Sequence, residues 1–408
     1  MKTKLSRLLE LASLLVLFLA QQTVQGQSFT TLYAFTGGAD GSGPSGLTLD
    51  SAGNLYGVTF RGGDLTCQPV YGCGTVFKLD LTGQLTVLHN FTGSPDGAEP
   101  SISSPLFRDA RGNLYGTTSE GGAPINGGTV FRVDPTGKEK VLHRFTNLAG
   151  GLDPVAGVIG DAAGNLYGAT ELGGDISCNG SGPGCGVVFK LDPRGTQTVL
   201  YRFKDSPDGH QPESSLRRDA AGNLYGTAAY GGAQCSYQYG CGTVFKVDAT
   251  GQESILYTFT GGADGGVPIA GLVRDATGNL YGATAGFGTY DSGTVFKLDP
   301  SGKETVLYSF KGGADGEDPL AGLVRSPDGS LYGTTAYGGN GACSFGCGTV
   351  FKLDPHGHEI VLHSFTGGAD GAYPNAVLVR DSAGNLYGTA GGGGDPNCGC
   401  GTVFKITP

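Results

Sequence analysis

The chain has 408 residues, a formal net charge of −10 and a sequence pI near 5.0. No basic run occurs beyond the first few positions, which argues against nucleic acid and anionic membrane surfaces as partners. Gly is abundant (77 residues), Trp is absent, and recurring aromatic and β-branched residues exclude a disordered chain and favour an all-β fold.

The N-terminus reads as a secretory signal over residues 1–26. Lys2, Lys4 and Arg7 form its basic start, Leu8 to Ala20 its apolar stretch, and Val24-Gln-Gly26 a small-residue cleavage site. The apolar stretch is too short for a bilayer, which takes ~20 residues. No second run of spanning length follows, so no membrane insertion is expected after cleavage.

The mature chain, 27–408, opens on a lone strand, Thr30-Thr-Leu-Tyr-Ala-Phe35. Four kinds of strand, a to d, then recur in fixed order. One copy runs Ala270-Gly-Leu-Val-Arg-Asp275 (a), Asn279-Leu-Tyr-Gly-Ala-Thr284 (b), Gly293-Thr-Val-Phe-Lys-Leu-Asp299 (c) and Glu304-Thr-Val-Leu-Tyr-Ser-Phe310 (d). The strand b tyrosines are Tyr56, Tyr115, Tyr167, Tyr225, Tyr281, Tyr332 and Tyr387. Their spacing of about 55 residues marks a repeat architecture. Short a–b and c–d turns carry Gly at the position that needs positive φ, whereas the b–c and d–a connections are longer and variable.

Four strands per repeat and seven repeats predict a seven-bladed β-propeller with four antiparallel strands per blade, as one domain. The last element is a c strand ending at Ile406, so the opening d strand is expected to complete the last blade and close the ring.

Ten cysteines fall into five local pairs in b–c connections: Cys67/Cys73, Cys178/Cys185, Cys235/Cys241, Cys343/Cys347 and Cys398/Cys400. Two blades lack both members. With a signal sequence this predicts disulfides rather than zinc, because one pair per blade does not gather four thiolates. The one-residue spacer of Cys398-Gly-Cys400 implies a strained, more reducible bridge.

With strand a innermost, the b–c and d–a connections share one face, where function is expected. Tyrosines outside the strands cluster there: Tyr71, Tyr230, Tyr237, Tyr239, Tyr290, Tyr337 and Tyr373, joined by Phe287 and Phe345. A Tyr ring suits a wet binding surface for a sugar or a protein; equally, it can pack over a loop disulfide. The d–a connection repeats Gly-Gly-Ala-Asp-Gly at Asp40, Asp264, Asp315 and Asp370, with Asp96 and Asp208 in variants, always before a Pro. Those carboxylates either bind Ca²⁺ or simply make the turn, and the turn is the simpler reading. Arg108, Arg218, Arg274, Arg325 and Arg380 end five a strands, mostly next to an Asp that could pair with them. A catalytic site would break repeat symmetry; the one hint is His210 with Glu213 in a single d–a region.

The repeats Gly-Asn-Leu-Tyr-Gly-Thr-Thr, Gly-Thr-Val-Phe-Lys-Leu-Asp and Phe-Thr-Gly-Gly-Ala-Asp-Gly resemble the GloVer-type (Gloeo/Verruco) tandem repeat of secreted bacterial proteins, over about residues 30–406. The resemblance implies an extracellular or cell-surface repeat protein without a settled activity. Many members carry a C-terminal anchoring segment. Here the chain stops at Thr407-Pro408, so free secretion or periplasmic residence is expected. The reading that results is a monomeric, non-enzymatic binding or scaffold module for a glycan or protein, with no cofactor. The alternatives are a polysaccharide lyase or hydrolase, and a purely structural envelope protein.

Overall fold

The computed structural model describes residues 27–407 except 69–70, 102–103, 179–182, 205, 233–234 and 236–237. The signal segment 1–26 and Tyr237 therefore lie outside the described residues. Seven antiparallel sheets follow one another as blades, each with strands a to d side by side, and the first two carry a fifth short strand, Ser42–Pro44 or Ala98–Pro100. In the fifth blade strands a to d are Val273–Arg274, Leu280–Thr284, Thr294–Leu298 and Glu304–Ser309. The ring closes as expected. Strand Ser28–Ala34 pairs antiparallel with Thr402–Thr407, from Ser28 opposite Thr407 to Ala34 opposite Thr402.

Strand b is buried on both faces, as Leu280–Thr284 shows, which explains its nearly continuous small and apolar character. The reason lies in blade stacking. Each strand d ends in a buried Phe whose ring meets, edge on, the strand c Phe of the next blade. Phe259 meets Phe296 at 5.2 Å, Phe203 meets Phe245 at 5.0 Å, and Phe365 meets Phe404 at 5.2 Å across the last interface. Beside each c-strand Phe sits the Gly of Leu-Tyr-Gly. A Cβ on Gly282 would stand 2.7 Å from Phe296 Cζ, inside van der Waals contact, so the strand b glycine makes room for the ring.

The a–b turn is a hydrogen-bonded knot. The Asp275 carboxylate accepts from the backbone N–H of Thr277 and Asn279, the Asn279 amide and the Tyr281 hydroxyl. These bonds hold the carboxyl well below the usual carboxylate range, although burial opposes them. The neighbouring arginine does not pair with this Asp. Arg274 lies over the Tyr225 ring of the preceding blade at 5.6 Å, as Arg108 lies over Tyr56 and Arg325 over Tyr281. Strand a is shorter than the sequence suggests, with only Val273–Arg274 in the ladder. The preceding residues leave the sheet because seven chains converge on the axis. There a Cβ on Gly322 would stand 3.1 Å from Gly271 O, and the hydroxyls of Ser104 and Ser215 meet at 2.6 Å from non-adjacent blades.

A pair of carboxyls also recurs between consecutive blades. The Asp of a d–a loop faces the first Glu of strand d in the next blade: Asp208 with Glu253, Asp264 with Glu304, Asp315 with Glu359. Burial, reinforced by the Asp, pushes each of these glutamates up to about 7. The loop Leu148–Asp153 has no Asp at that place. The next d strand there starts with Gln197, whose amide donates to Gly150 O at 2.7 Å.

Phe296→Ala removes a fully buried ring from one interface and should cost about 3–5 kcal/mol in unfolding free energy. Urea titration followed by circular dichroism measures it; a loss below about 1 kcal/mol would show that the ring contacts do not hold the blades together.

Candidate functional site

The b–c and d–a connections emerge on one face. Around the axis there, each blade places one residue immediately before its Pro: Gly43, Glu99, Asp153, Gln211, Val267, Asp318 and Tyr373. All have left-handed backbone, with φ from 53° to 64°. Six are not glycine, so this conformation is costly and must be imposed by the surroundings. The imposing contacts are main-chain bonds. The Gln211 N–H donates to Cys185 O of the preceding blade, and Gln211 O accepts from Ala229 N; Tyr373 does the same with Cys347 O and Gly391 N. The backbone is thus fixed while the side chain is free to differ from blade to blade.

On one side this ring is acidic. Glu99, Asp153 and Glu213 come from consecutive d–a connections, and Glu120 and Glu171 from the adjoining ends of strand b. Burial, with Glu171, Glu120 and Glu99 nearby, pushes Asp153 up to about 7. Burial also pushes Glu213 up to about 7, assisted by Glu171 and Asp153. Glu171 is raised by burial against the opposing effect of the Gln211 amide, which donates to it at 2.6 Å. His210 is only 2% exposed and its ring lies 5.6 Å from Tyr230. The sequence signals at 210 and 213 therefore mark one edge of a five-carboxyl group, four members of which the sequence reading missed. For Glu99 and Asp153 the missed signal was positional, the residue before each Pro; for Glu120 and Glu171 it was the break in the repeat at the end of strand b.

The predicted tyrosines form separate groups. Tyr230 and Tyr239 meet at 6.2 Å on the fourth blade. Tyr337 meets Tyr373 at 5.8 Å and Phe345 at 6.3 Å. Tyr71 is half exposed beneath the Arg61 guanidinium at 4.5 Å, and Tyr290 stands exposed on the fifth blade. Phe287 is different, because it packs against the core beside the Cys235–Cys241 bridge.

All five expected disulfides are formed: Cys67–Cys73, Cys178–Cys185, Cys235–Cys241, Cys343–Cys347 and Cys398–Cys400. All lie in b–c connections, as expected, but the two members of a pair differ in depth. The second cysteine of each pair, Cys73, Cys185, Cys241, Cys347 or Cys400, is buried in the core between blades. Cys73, for example, packs with Phe91 and Phe131, and Cys241 with Phe259 and Phe296. The physical reason is position: each lies two residues before strand c, where the chain has already entered the stack of blades. These cysteines offer nothing to a ligand on the loop face. The bridges instead anchor the b–c loops to the core and press them against the glycines that follow strand d; a Cβ on Gly261 would stand 2.4 Å from Cys241 Sγ, and one on Gly93 2.8 Å from Cys67 Sγ.

The repeated d–a aspartates are turn-makers. Asp264 accepts from the Tyr257 hydroxyl and from the Thr260 hydroxyl and N–H, and Asp370 is held by His363 and Thr366 in the same way. Among the described residues no group of three His, Cys, Asp or Glu side chains is arranged to hold a metal ion. No helix among them is long and apolar enough to cross a membrane.

Between the last blade and the first, one blade before Glu99, lies a pocket of 270 Å³. Phe60 and Tyr373 are its aromatic walls, and Asn375, Pro44, Gly43, Gly391 and Gly392 complete it.

The acidic group gives a pH dependence with a definite sign. The unfolded chain releases the Asp153 and Glu213 protons near pH ~4, the folded chain only near about 7. Between these values the folded state binds more protons, so the stability they contribute is full below pH ~4 and is lost as pH rises through about 7. The double variant Asp153→Asn, Glu213→Gln should therefore gain melting temperature at about pH 8 and little at about pH 4. An equal shift at both pH values would show that the carboxyls do not hold protons in the folded state.

The Gloeobacter/Verrucomicrobia repeat family matches residues 18–239 and 229–408. No curated protein matches the chain. Among solved structures, the fold is similar to a catalytically inactive virginiamycin B lyase from Staphylococcus aureus bound to quinupristin, at TM-score 0.59 and 12% identity, over 94% of this chain and 99% of that one. A gluconolactonase from Xanthomonas campestris aligns at TM-score 0.43 and 14% identity, over 94% and 90%. Twelve per cent identity extends to the fold and no further. The family match spans every blade: the chain belongs to the Gloeobacter/Verrucomicrobia repeat family and builds its repeats into a seven-bladed β-propeller.

Proposed function

We propose that the protein is a secreted, non-enzymatic binding module that recognises a glycan through its b–c/d–a face. One observation carries this reading. Of the large apolar side chains exposed among the described residues, Leu65, Tyr71, Ile125, Leu148, Ile176, Tyr239, Tyr290, Phe345 and Tyr373 lie in b–c or d–a connections. Only Leu81 and Ile360 lie elsewhere. A one-sided distribution of exposed apolar groups points to recognition. They come from different blades around a ring, whereas a protein–protein interface gathers its apolar residues into one buried centre. Separate flat rings among Gly, Ser and Asn loops suit a chain of sugar units. The disulfides and the apolar N-terminal segment support a secreted location.

A second reading rests on the acidic group. A carboxyl such as Glu213, still protonated near pH 7, could serve as general acid in a lyase or hydrolase acting on a polysaccharide.

A glycan array with wild type, Tyr239→Ala and Tyr290→Ala separates these readings. Binding that falls at least about fivefold in a tyrosine variant supports the binding face. Unchanged binding removes it, and no binding to any glycan points to a protein ligand or a structural envelope role. Polysaccharide turnover by wild type that Glu213→Gln abolishes would replace the binding module with an enzyme.

A further inference from the structure

We infer that the pocket between the last and first blades is a subsite for a single uncharged pyranose ring. This rests on the glycan reading of the b–c/d–a face and names the site and sugar class within it. The pocket exists because the repeat is broken twice at one interface. At the position before Pro, where the other blades carry Glu99, Asp153, Gln211, Val267, Asp318 and Tyr373, the first blade has Gly43. At the end of strand b, the place of Phe60, Ser119, Glu171, Ala229, Ala285 and Ala336 is taken in the last blade by Gly391. Gly392 follows where the preceding blade has Tyr337. Neither Gly391 nor Gly392 has positive φ, so the backbone does not demand glycine there. A Cβ on Gly391 would meet nothing closer than 3.5 Å. Gly391 supplies empty space, while Gly392 lets the Tyr373 ring approach, since a Cβ there would stand 3.2 Å from Tyr373 Cδ2.

That space has a definite chemistry. Phe60 on one side and Tyr373 on the other offer flat apolar faces. Tyr373 is 37% exposed, yet its backbone is pinned by bonds to Cys347 O and from Gly391 N. The N–H groups of Gly43, Tyr373, Gly391 and Gly392 all donate within the fold. The Asn375 amide, with both donors and an acceptor, and the Tyr373 hydroxyl are the side-chain polar groups of its lining. A pyranose matches this set, with a C–H face for the rings and hydroxyls at its edge for the amide. A phenyl ring would leave the amide unmatched. The volume of 270 Å³ lies below the range of about 300–1,000 Å³ usual for drug-sized ligands, which limits the occupant to one ring.

The charge of the sugar follows from the surroundings. No ionisable carboxylate or ammonium group lines the pocket. Arg61 stacks on Phe60 and Tyr71, and its charge is offset by Glu99. Beyond Arg61 the ring continues into the acidic group at Glu99 and Asp153, and the chain carries a net charge of −10. Uronates and sulfated sugars are repelled from such a face.

Isothermal titration with glucose, galactose, mannose and N-acetylglucosamine, and with their short oligomers, tests the assignment. Glucuronate serves as the charged control. Saturable binding of a neutral sugar is expected, weakened at least about tenfold by Phe60→Ala and by Asn375→Ala. Gly391→Phe should abolish it by filling the pocket, with the melting temperature retained. Glucuronate binding as tight as that of the neutral sugar overturns the assignment. So does neutral-sugar binding that survives all three variants. If that binding falls instead in Tyr239→Ala or Tyr290→Ala, the sugar sits elsewhere on the face and the glycan reading stands. If wild type binds no neutral sugar, the subsite is refuted, while charged glycans on the array still decide the wider reading.

Discussion

Everything in this molecule depends on an edge-to-face contact between two phenylalanines in different blades. A blade is a sheet with two apolar faces and cannot stand alone. The ring at the end of strand d and the ring in the middle of strand c of the next blade interlock at 5.0–5.3 Å at every interface from Phe35–Phe77 to Phe365–Phe404. The contact works only because strand b has no side chain opposite the c-strand ring. Much of the repeat follows from that one requirement: glycine after Leu-Tyr, small residues along strand b, and a Tyr–Asp knot that fixes where the strand begins.

Because this requirement recurs, it could be read from the amino-acid string. The tyrosines of strand b and the phenylalanines of strands c and d fix blade number, strand order and closure by the first strand. The length of strand a could not be read in the same way. Ala270-Gly-Leu-Val-Arg-Asp275 has the composition of a full strand, but crowding at the axis pulls its first residues out of the ladder. That constraint comes from seven chains meeting, which no single repeat records. The depth of Cys73 and its counterparts was hidden for a similar reason, since the neighbouring blade that covers them is not written in their own loop.

The candidate site was less legible because it is made of departures from the repeat. Tyr373 drew attention as a loop aromatic, but Phe60 looks like an ordinary end of strand b and Asn375 like an ordinary residue after the d–a Pro. Gly391 lies in a glycine run that reads as a turn. The pocket needs Gly43 and Gly391 to be adjacent, and they are brought together only when the ring closes. The carboxyl group around Glu213 has the same origin, since its members sit one or two per repeat. Both features use the backbone before Pro, where a costly left-handed conformation is held by main-chain bonds on either side.

The pairing of Gln197 with Gly150 has a consequence for how the chain is ordered. Strand d of the third blade begins with an amide where the loop arriving from the second blade has no aspartate at the turn position; its neighbours begin with glutamate, facing the aspartate of their incoming loops. The third blade is thus fitted to the one before it. The repeats share a shape without being interchangeable, and exchanging the third with the fifth would bring Gln197 to an aspartate and Glu304 to a bare glycine loop. The circle has a built-in sequence of parts, written at its outer edge rather than at its centre.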